Sequence, residues 1–411
     1  MGQRNAKEDE YYSFKPFRMT KLNPTTYNLV NTNVKIPKPR SGHRIVCDSA
    51  NLYSFGGYLP LISSYELTSD DDWLPHRPLF REIWKFNFAT LTWSKIPCKE
   101  FPEVLVSNAV TLNGEILMIF GGTSYPFGTT CSNDLYLCNL SKEDPVIQRV
   151  PTTGRIPLPQ YGQSIVIHED NLYTFGGTTG YEYTSDLHRL NLKNRIWDGA
   201  YINKGLENEP PGMYRHEIVL FESKIYVFGG GKVNRAYGFE NIYAYSLHSN
   251  QWEIHATQQD PVAALDGLGT GYPKKRYCHS CIQLPDSPNQ IAILGGFDGA
   301  NVFEDVWMLN LLNFQWTKII NCNLPKIYFH SSSVLTSGKV VTFGGIIQSN
   351  NSRERTSDIY VAWLCIPKLK EMCWDAILFY SYSNKYSASE LHSMGVPLGY
   401  IQRIYSGSNN L

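Results

Sequence analysis

An apolar strand that runs into a glycine pair occurs six times in this chain, at Phe55-Gly56-Gly57, Phe120-Gly121-Gly122, Phe175-Gly176-Gly177, Phe228-Gly229-Gly230, Leu294-Gly295-Gly296 and Phe343-Gly344-Gly345. Successive first glycines lie 65, 55, 53, 66 and 49 residues apart. That period suits one four-stranded sheet per unit, with loops of variable length. The glycines mark places where the backbone turns sharply or passes close to a neighbour.

Other landmarks keep step. Each unit opens with a short strand, often led by a histidine, as at Gly42-His43, Gly162-Gln163, Arg215-His216, Cys278-His279 and Phe329-His330. After the glycines an acid or Asn leads an alternating apolar run, for example Glu82-Ile83-Trp84-Lys85-Phe86 and Glu304-Asp305-Val306-Trp307-Met308-Leu309. A tryptophan then opens a fourth strand at Trp93, Trp197, Trp252 and Trp316, while the second unit carries Pro145-Val146-Ile147 instead. A four-stranded unit cannot bury both faces alone, so the units are expected to stack radially, with the His and Trp residues packing between them. The sixth unit has three strands before the chain departs near Ala362. The segment Asn23–Val30 echoes Asn87–Ser94, with Tyr27 in place of the tryptophan. A strand over 26–30 is therefore expected to complete the last sheet and remove its open edge.

The glycine pairs, acid-led apolar runs and spaced tryptophans resemble the kelch family over residues 36–363. That resemblance implies an all-β fold, a six-bladed kelch β-propeller. The expected domains are a disordered 1–16, a propeller over 17–363, and a helical tail over 364–411.

Composition excludes other classes. Lys+Arg 37 against Asp+Glu 37 leaves no net charge, so no basic field for nucleic acid is expected. Met1–Glu10 is polar and no 18-residue apolar run follows, so no membrane association is expected, and the chain reads as cytoplasmic and nuclear. Nine cysteines are scattered, and the lone C-x-x-C at Cys278 and Cys281 has no second ligand pair. Core thiols rather than a metal are expected there. With no G-x-S-x-G and no phosphate-binding loop, neither catalysis nor a cofactor is expected.

After Trp363 the pattern becomes helical. Leu369, Cys373, Ala376, Ile377 and Tyr380 share one helical face. Ser387–Gly395 reads as a Ser-capped helix stopped by glycine, and a third helix starts near Pro397. Leu369-x-x-x-Cys373-x-x-x-Ile377 with Pro367 resembles the BC-box that inserts into Elongin-C. Val396-Pro397-x-x-Tyr400-x-x-x-Ile404 resembles a cullin-2 box. Together with the kelch repeats they resemble the substrate receptors of cullin-2 ubiquitin ligases. The implied partners are Elongin-C, Elongin-B, cullin-2 and a RING-box protein, with stress-kinase or phosphatase components as a looser implication.

Those receptors read the C-terminus of a target protein, Gly-ended or Ala-rich, for ubiquitylation and protein quality control. A buried terminal carboxylate requires convergent donors. The candidates are Arg40, Arg215, Lys232, Arg235 and Arg276, with the Tyr277 phenol as a further donor and Tyr161, Tyr214 and Tyr328 as walls. Arg40 and Arg276 occupy one repeat position, where other units place Gln160, Met213 and Lys326. The basic residue is therefore not obligatory for the fold, which argues for a ligand role. The alternative is a kelch scaffold in cytoskeletal or stress-kinase signalling, without a ligase.

Overall fold

The computed structural model of this 411-residue chain describes residues 11–24, 36–60, 78–265, 270–350, 352–380 and 386–405. Six sheets of four or five strands dominate the described secondary structure. The first runs Arg44–Cys47, Asn51–Phe55, Ile83–Asn87, Thr92–Ile96, each strand pairing with the next. The next four sheets repeat this order, the third adding Thr153–Gly154 in parallel to Ile196–Tyr201. The architecture is all-β and propeller-like.

Two series of backbone hydrogen bonds join sheet to sheet, and each closes on itself. In one, the second glycine of every pair donates to the following unit: Gly57 to Leu105 (2.8 Å), Gly122 to Gln160 (2.9 Å), Gly177 to Met213 (2.8 Å), Gly230 to Arg276 (2.9 Å), Gly296 to Ile327 (2.8 Å) and Gly345 to Arg40 (2.8 Å). In the other, the residue two positions before each unit's first strand donates to its counterpart one unit earlier. These bonds run from Ser107 to Gly42, Gly162 to Ser107, Arg215 to Gly162, Cys278 to Arg215, Phe329 to Cys278 and Gly42 back to Phe329, at 2.7–3.2 Å. The first glycine needs the left-handed conformation and close approach that a Cβ forbids. At Gly176, φ is +63° and a Cβ would lie 2.6 Å from His216 Cε1.

The recurrent side chains serve the same junctions. His43 Nε2 donates to the Phe343 carbonyl and His216 Nε2 to that of Phe175, both at 3.1 Å; Gln163 Nε2 makes the equivalent bond to Phe120 (2.9 Å). Trp93, Trp197 and Trp252 pack on Phe343, Phe120 and Phe175 of the preceding sheet, with ring centroids 5.1–5.3 Å apart. In the second sheet the fourth strand is Gln148–Val150, and Ile147 is buried beside it.

The last sheet is completed from the N-terminal side by Thr20–Leu22, which pairs with Ile359–Trp363 in the register Thr20↔Val361, Lys21↔Tyr360, Leu22↔Ile359. The expected strand at 26–30 lies outside the described residues. Upstream, part of the segment expected to be disordered is ordered against the C-terminal part. The Tyr12 amide donates to the Tyr380 hydroxyl (3.1 Å), and the Phe14 ring lies against Trp363.

Among the described residues three helices follow, Leu369–Phe379, Ala388–Ser393 and Leu398–Tyr405. Ser387 and Glu390 form a capping box on the second, and Gly395 follows its end at φ +89°. Trp374, Leu391, Val396 and Ile401 form a small core against Ala89 of the first sheet. Asn87 Nδ2 donates to the Arg403 carbonyl (2.8 Å), and Trp363 Nε1 to Asp375 (3.0 Å). Glu371 accepts a fork from Arg403 (2.8 and 3.1 Å) and the Tyr400 hydroxyl (2.7 Å). Burial opposes ionisation of Glu371, but these bonds outweigh it and hold its pKa below the usual carboxylate value.

Burial also drives the junction histidines down: His216 and His330 to about 3, His43 and His279 well below 6.5. The unfolded chain takes up these protons near pH 6.5 and the folded chain does not. Stability is thus full above pH 6.5 and declines on acidification, by about 1.4 kcal/mol per pH unit for each histidine. Gln163 already fills a histidine slot, so His216→Gln is expected to keep the fold and flatten the dependence of Tm on pH between 6.5 and 4. His216→Ala, which leaves the Phe175 carbonyl unpaired, is expected to cost about 1–3 kcal/mol at neutral pH. Thermal melts across pH check both.

Candidate recognition site

The residue two positions before each first strand sits at the mouth of the ring, in the left-handed region: Gly42, Ser107, Gly162, Arg215, Cys278 and Phe329 have φ between +54° and +69°. Two are glycine and two are small, which leaves room over the mouth. Arg215 and Phe329 are the bulky exceptions, and a bulky residue held at positive φ is uncommon. Below them Arg44 of the first sheet pairs with Glu217 of the fourth at 2.8 Å, an ion pair linking two sheets three places apart in the ring.

Above this level lies a small pocket of about 60 Å³. Ser41, Tyr58, Val106, Ser107, Thr123, Phe127, Tyr161, Phe329 and Ile346 line it, with Arg215 and Arg355. The Arg215 guanidinium lies 4.1 Å from the Phe329 ring centroid and 4.6 Å from that of Tyr214. Its Nη1 reaches Cys278 Sγ at 3.6 Å, and its Nε is buried without a partner. Arg355 stacks over Tyr58 at 4.8 Å, and its Nε donates to Ser41 Oγ (2.8 Å). Burial lowers the pKa of Arg355, yet an arginine stays charged. Neither guanidinium has a carboxylate within ion-pair distance among the described residues. Two partly desolvated forks facing an apolar, aromatic pocket suit a planar anion with an apolar remainder.

The structure distributes the expected residues unevenly. Arg215 and Tyr161 line the pocket. Tyr214 and Tyr277 stand beside it in an aromatic row, with ring centroids 6.4 Å apart, and Tyr277 packs edge-on to Phe297. Lys232 and Arg235 sit exposed on the hairpin Gly231–Lys232/Arg235–Ala236, lying over Tyr183 and Tyr237, and neither lines the pocket.

Arg40 and Arg276 are corrected. Both are fully buried. Arg40 pairs with Glu82 and donates to the Gly56 and Lys38 carbonyls, over Phe80. Arg276 grips Asp305 at 2.6 and 3.2 Å and donates to the Gly295 and Lys274 carbonyls, over Phe303. Each ties its own unit's acid to the first glycine of the pair and has nothing left for a ligand. The counterpart of this position in the sixth unit is Ile327, the acceptor of the Gly296 amide, and not Lys326. The cysteines of the C-x-x-C are separate thiols, with burial raising the pKa of both.

In the tail the first helix turns Glu371 and Trp374 inward and leaves Leu369 (73% exposed) and Cys373 outside. Ile377 is half-buried against the tail core. Val396, Tyr400 and Ile404, expected as cullin-binding residues, turn towards the tail core. Val396 is buried, Tyr400 packs on Trp374 and bonds Glu371, and Ile404 joins the same cluster. Pro397, beside Leu398, is exposed.

Comparison with known proteins fits this geometry. The model of the KLHDC2/KLHL20/DRC7 Kelch-repeats domain matches residues 2–230, and that of the Attractin/LZTR1 beta-propeller matches 117–407. A Drosophila melanogaster Kelch domain-containing protein 10 homolog is 39% identical over 96% of this chain, which covers 66% of that protein. Kelch domain-containing protein 10 of Xenopus laevis is 39% identical over 84% of the chain, and that of Homo sapiens 37% over 90%; the chain covers 80% of each. The chain belongs to the Kelch domain-containing protein 10 family. Membership supports a general substrate-recognition role. Kelch-repeat propellers are typically non-catalytic scaffolds or adaptors, and no group of metal-ligating side chains occurs among the described residues. No described helix is long and apolar enough to cross a membrane.

Arg276→Ala is expected to destabilise the fold by about 3–5 kcal/mol, because Asp305 is left mostly buried without its cation. Lys232→Ala and Arg235→Ala are expected to leave stability within about 0.5 kcal/mol. Denaturant titration checks the contrast.

Proposed function

We propose that this chain is the substrate-recognition subunit of a cullin-2–Elongin-B/C RING ubiquitin ligase. It acts as a six-bladed propeller that binds the C-terminal carboxylate of Gly-ended or Ala-rich targets. The observation that carries this reading is the pair Arg215 and Arg355, which face one aromatic pocket without an acidic partner. A peptide terminus supplies both the planar anion and a small apolar remainder. The outward Leu369 and Cys373 support the second half of the reading, since a leucine one turn from a small side chain suits a helix-in-groove contact. Elongin-C would take this stripe, with residues 364–411 as the BC-box and cullin-box module and the RING-box protein joining through cullin-2. The inward turn of Val396, Tyr400 and Ile404 leaves Pro397 and Leu398 as the exposed cullin-side candidates. Such a receptor would work in the cytoplasm and nucleus.

Peptides ending in Ala-Gly, Pro-Gly or Ala-Ala are expected to bind with a free terminus and to lose roughly 10-fold or more in affinity when amidated. Arg215→Gln and Arg355→Gln are each expected to remove that difference. Equal binding of acid and amide by the wild-type chain would contradict carboxylate recognition. Separately, Leu369→Ala with Cys373→Phe is expected to abolish co-purification of Elongin-B/C while leaving Tm unchanged, since Leu369 and Cys373 are exposed. Retention of Elongin-B/C by that variant, or its absence from the wild-type chain, would favour a scaffold acting without a ligase.

A further inference from the structure

The first and second sheets meet at a pair of thiols that do not line the recognition pocket. Cys98 follows the outer strand Thr92–Ile96, and Cys138 lies on the second sheet's strand Leu135–Asn139. Their sulfur atoms are 3.6 Å apart. The contact is held from both sides. The Lys99 amide donates to the Pro145 carbonyl (3.1 Å) and the Ile147 amide to the Lys99 carbonyl (3.0 Å), pinning the Cys98 segment to the second sheet. Cys138 is fully enclosed among Leu117, Ile119 and Ile147, whereas Cys98 is half-buried and reachable from solvent. One sulfur is thus presented to a reagent, with the other waiting behind it.

We propose that Cys98 and Cys138 are a hydroperoxide-responsive modification site that closes as a disulfide between the first and second sheets. The Cys98 thiolate attacks the hydroperoxide, its sulfur takes one oxygen, and water or an alcohol leaves; the product is the Cys98 sulfenic acid. The Cys138 sulfur then attacks the Cys98 sulfur, the S–O bond breaks, and the hydroxyl leaves as water with the proton of the Cys138 thiol. Two thiols lose two electrons in all, and the peroxide gains them. The hydrogen bond between the two thiols draws the Cys98 pKa below that of an ordinary thiol. The same bond, with burial, pushes the Cys138 pKa up, which is the order of reaction described. The enclosed partner leaves the sulfenic acid little time to advance to the sulfinic acid. The product adds a second covalent link between two sheets already joined by the backbone over 97–108, so oxidation stabilises that junction.

The test uses the full chain, treated with hydrogen peroxide, alkylated under denaturing conditions and digested without reduction. The expected result is a peptide linking Cys98 to Cys138, cleaved by dithiothreitol, at peroxide doses that leave the buried Cys278 and Cys322 alkylatable. The oxidised chain is expected to melt higher than the reduced one. Cys138→Ser is expected to accumulate a Cys98 sulfenic acid that dimedone traps. Cys138 remaining alkylatable while Cys98 is oxidised, or Cys98 linked to another cysteine or a second chain, would overturn the proposal. The wild-type peptide map decides the matter even if Cys138→Ser does not fold.

Discussion

The closed series of backbone hydrogen bonds around the ring is the constraint on which the rest depends. Each unit hands one amide, that of its second glycine, to a carbonyl of the next, and the last bond, Gly345 to Arg40, returns to the start. A sheet of four strands exposes two apolar faces, so no unit is stable until its neighbours cover it. The glycines bring the backbones close enough for these bonds. The histidines, Gln163 and the tryptophans then fill the space the glycines leave open. Thr20–Leu22 completes the last sheet from the far end of the chain, so the junction closes only when sequence neighbours of both ends have met.

That constraint also makes the site. The second closed series requires one residue per unit in the left-handed region at the ring mouth, where most side chains are disfavoured. Gly42, Ser107, Gly162 and Cys278 meet the requirement with little bulk. Arg215 and Phe329 meet it at some strain and project into the space the others leave. Strain of that kind recurs at functional sites, and here it coincides with a cation whose Nε is buried without a partner. Arg355 reaches the same pocket from the hairpin of the sixth unit, and the ion pair of Arg44 and Glu217 lies beneath.

The sequence made the repeat visible because glycine, histidine and tryptophan serve the same contact in each unit, and a repeated contact leaves a repeated letter. The departures from repetition were harder to read. Arg40 and Arg276 differ from Gln160 and Met213 at their repeat position and so resembled ligand residues. Their partners, Glu82 and Asp305, are the acids that lead the third strands, and the pairing shows only once those strands are folded back. Arg355 gave no signal, since the equivalent hairpin position in the other units holds Leu79, Cys131, Tyr183, Ala236 and Val302, and no letter repeats there. In the tail, helical spacing identified Leu369 and Cys373 as one face. It did not reveal that Glu371 would be the buried side, because that burial depends on Arg403 and Tyr400 from the third helix. The same partnership turns Tyr400 away from solvent.

The central claim is that a target's C-terminal carboxylate sits between Arg215 and Arg355. The most direct measurement is a structure of the chain bound to a peptide with a free Gly or Ala terminus. The account predicts the carboxylate oxygens within hydrogen-bonding distance of both guanidiniums, with the preceding residues against Tyr58 and Phe127. A carboxylate held by Lys232 and Arg235 on the exposed hairpin, with the Arg215 pocket empty, would contradict it.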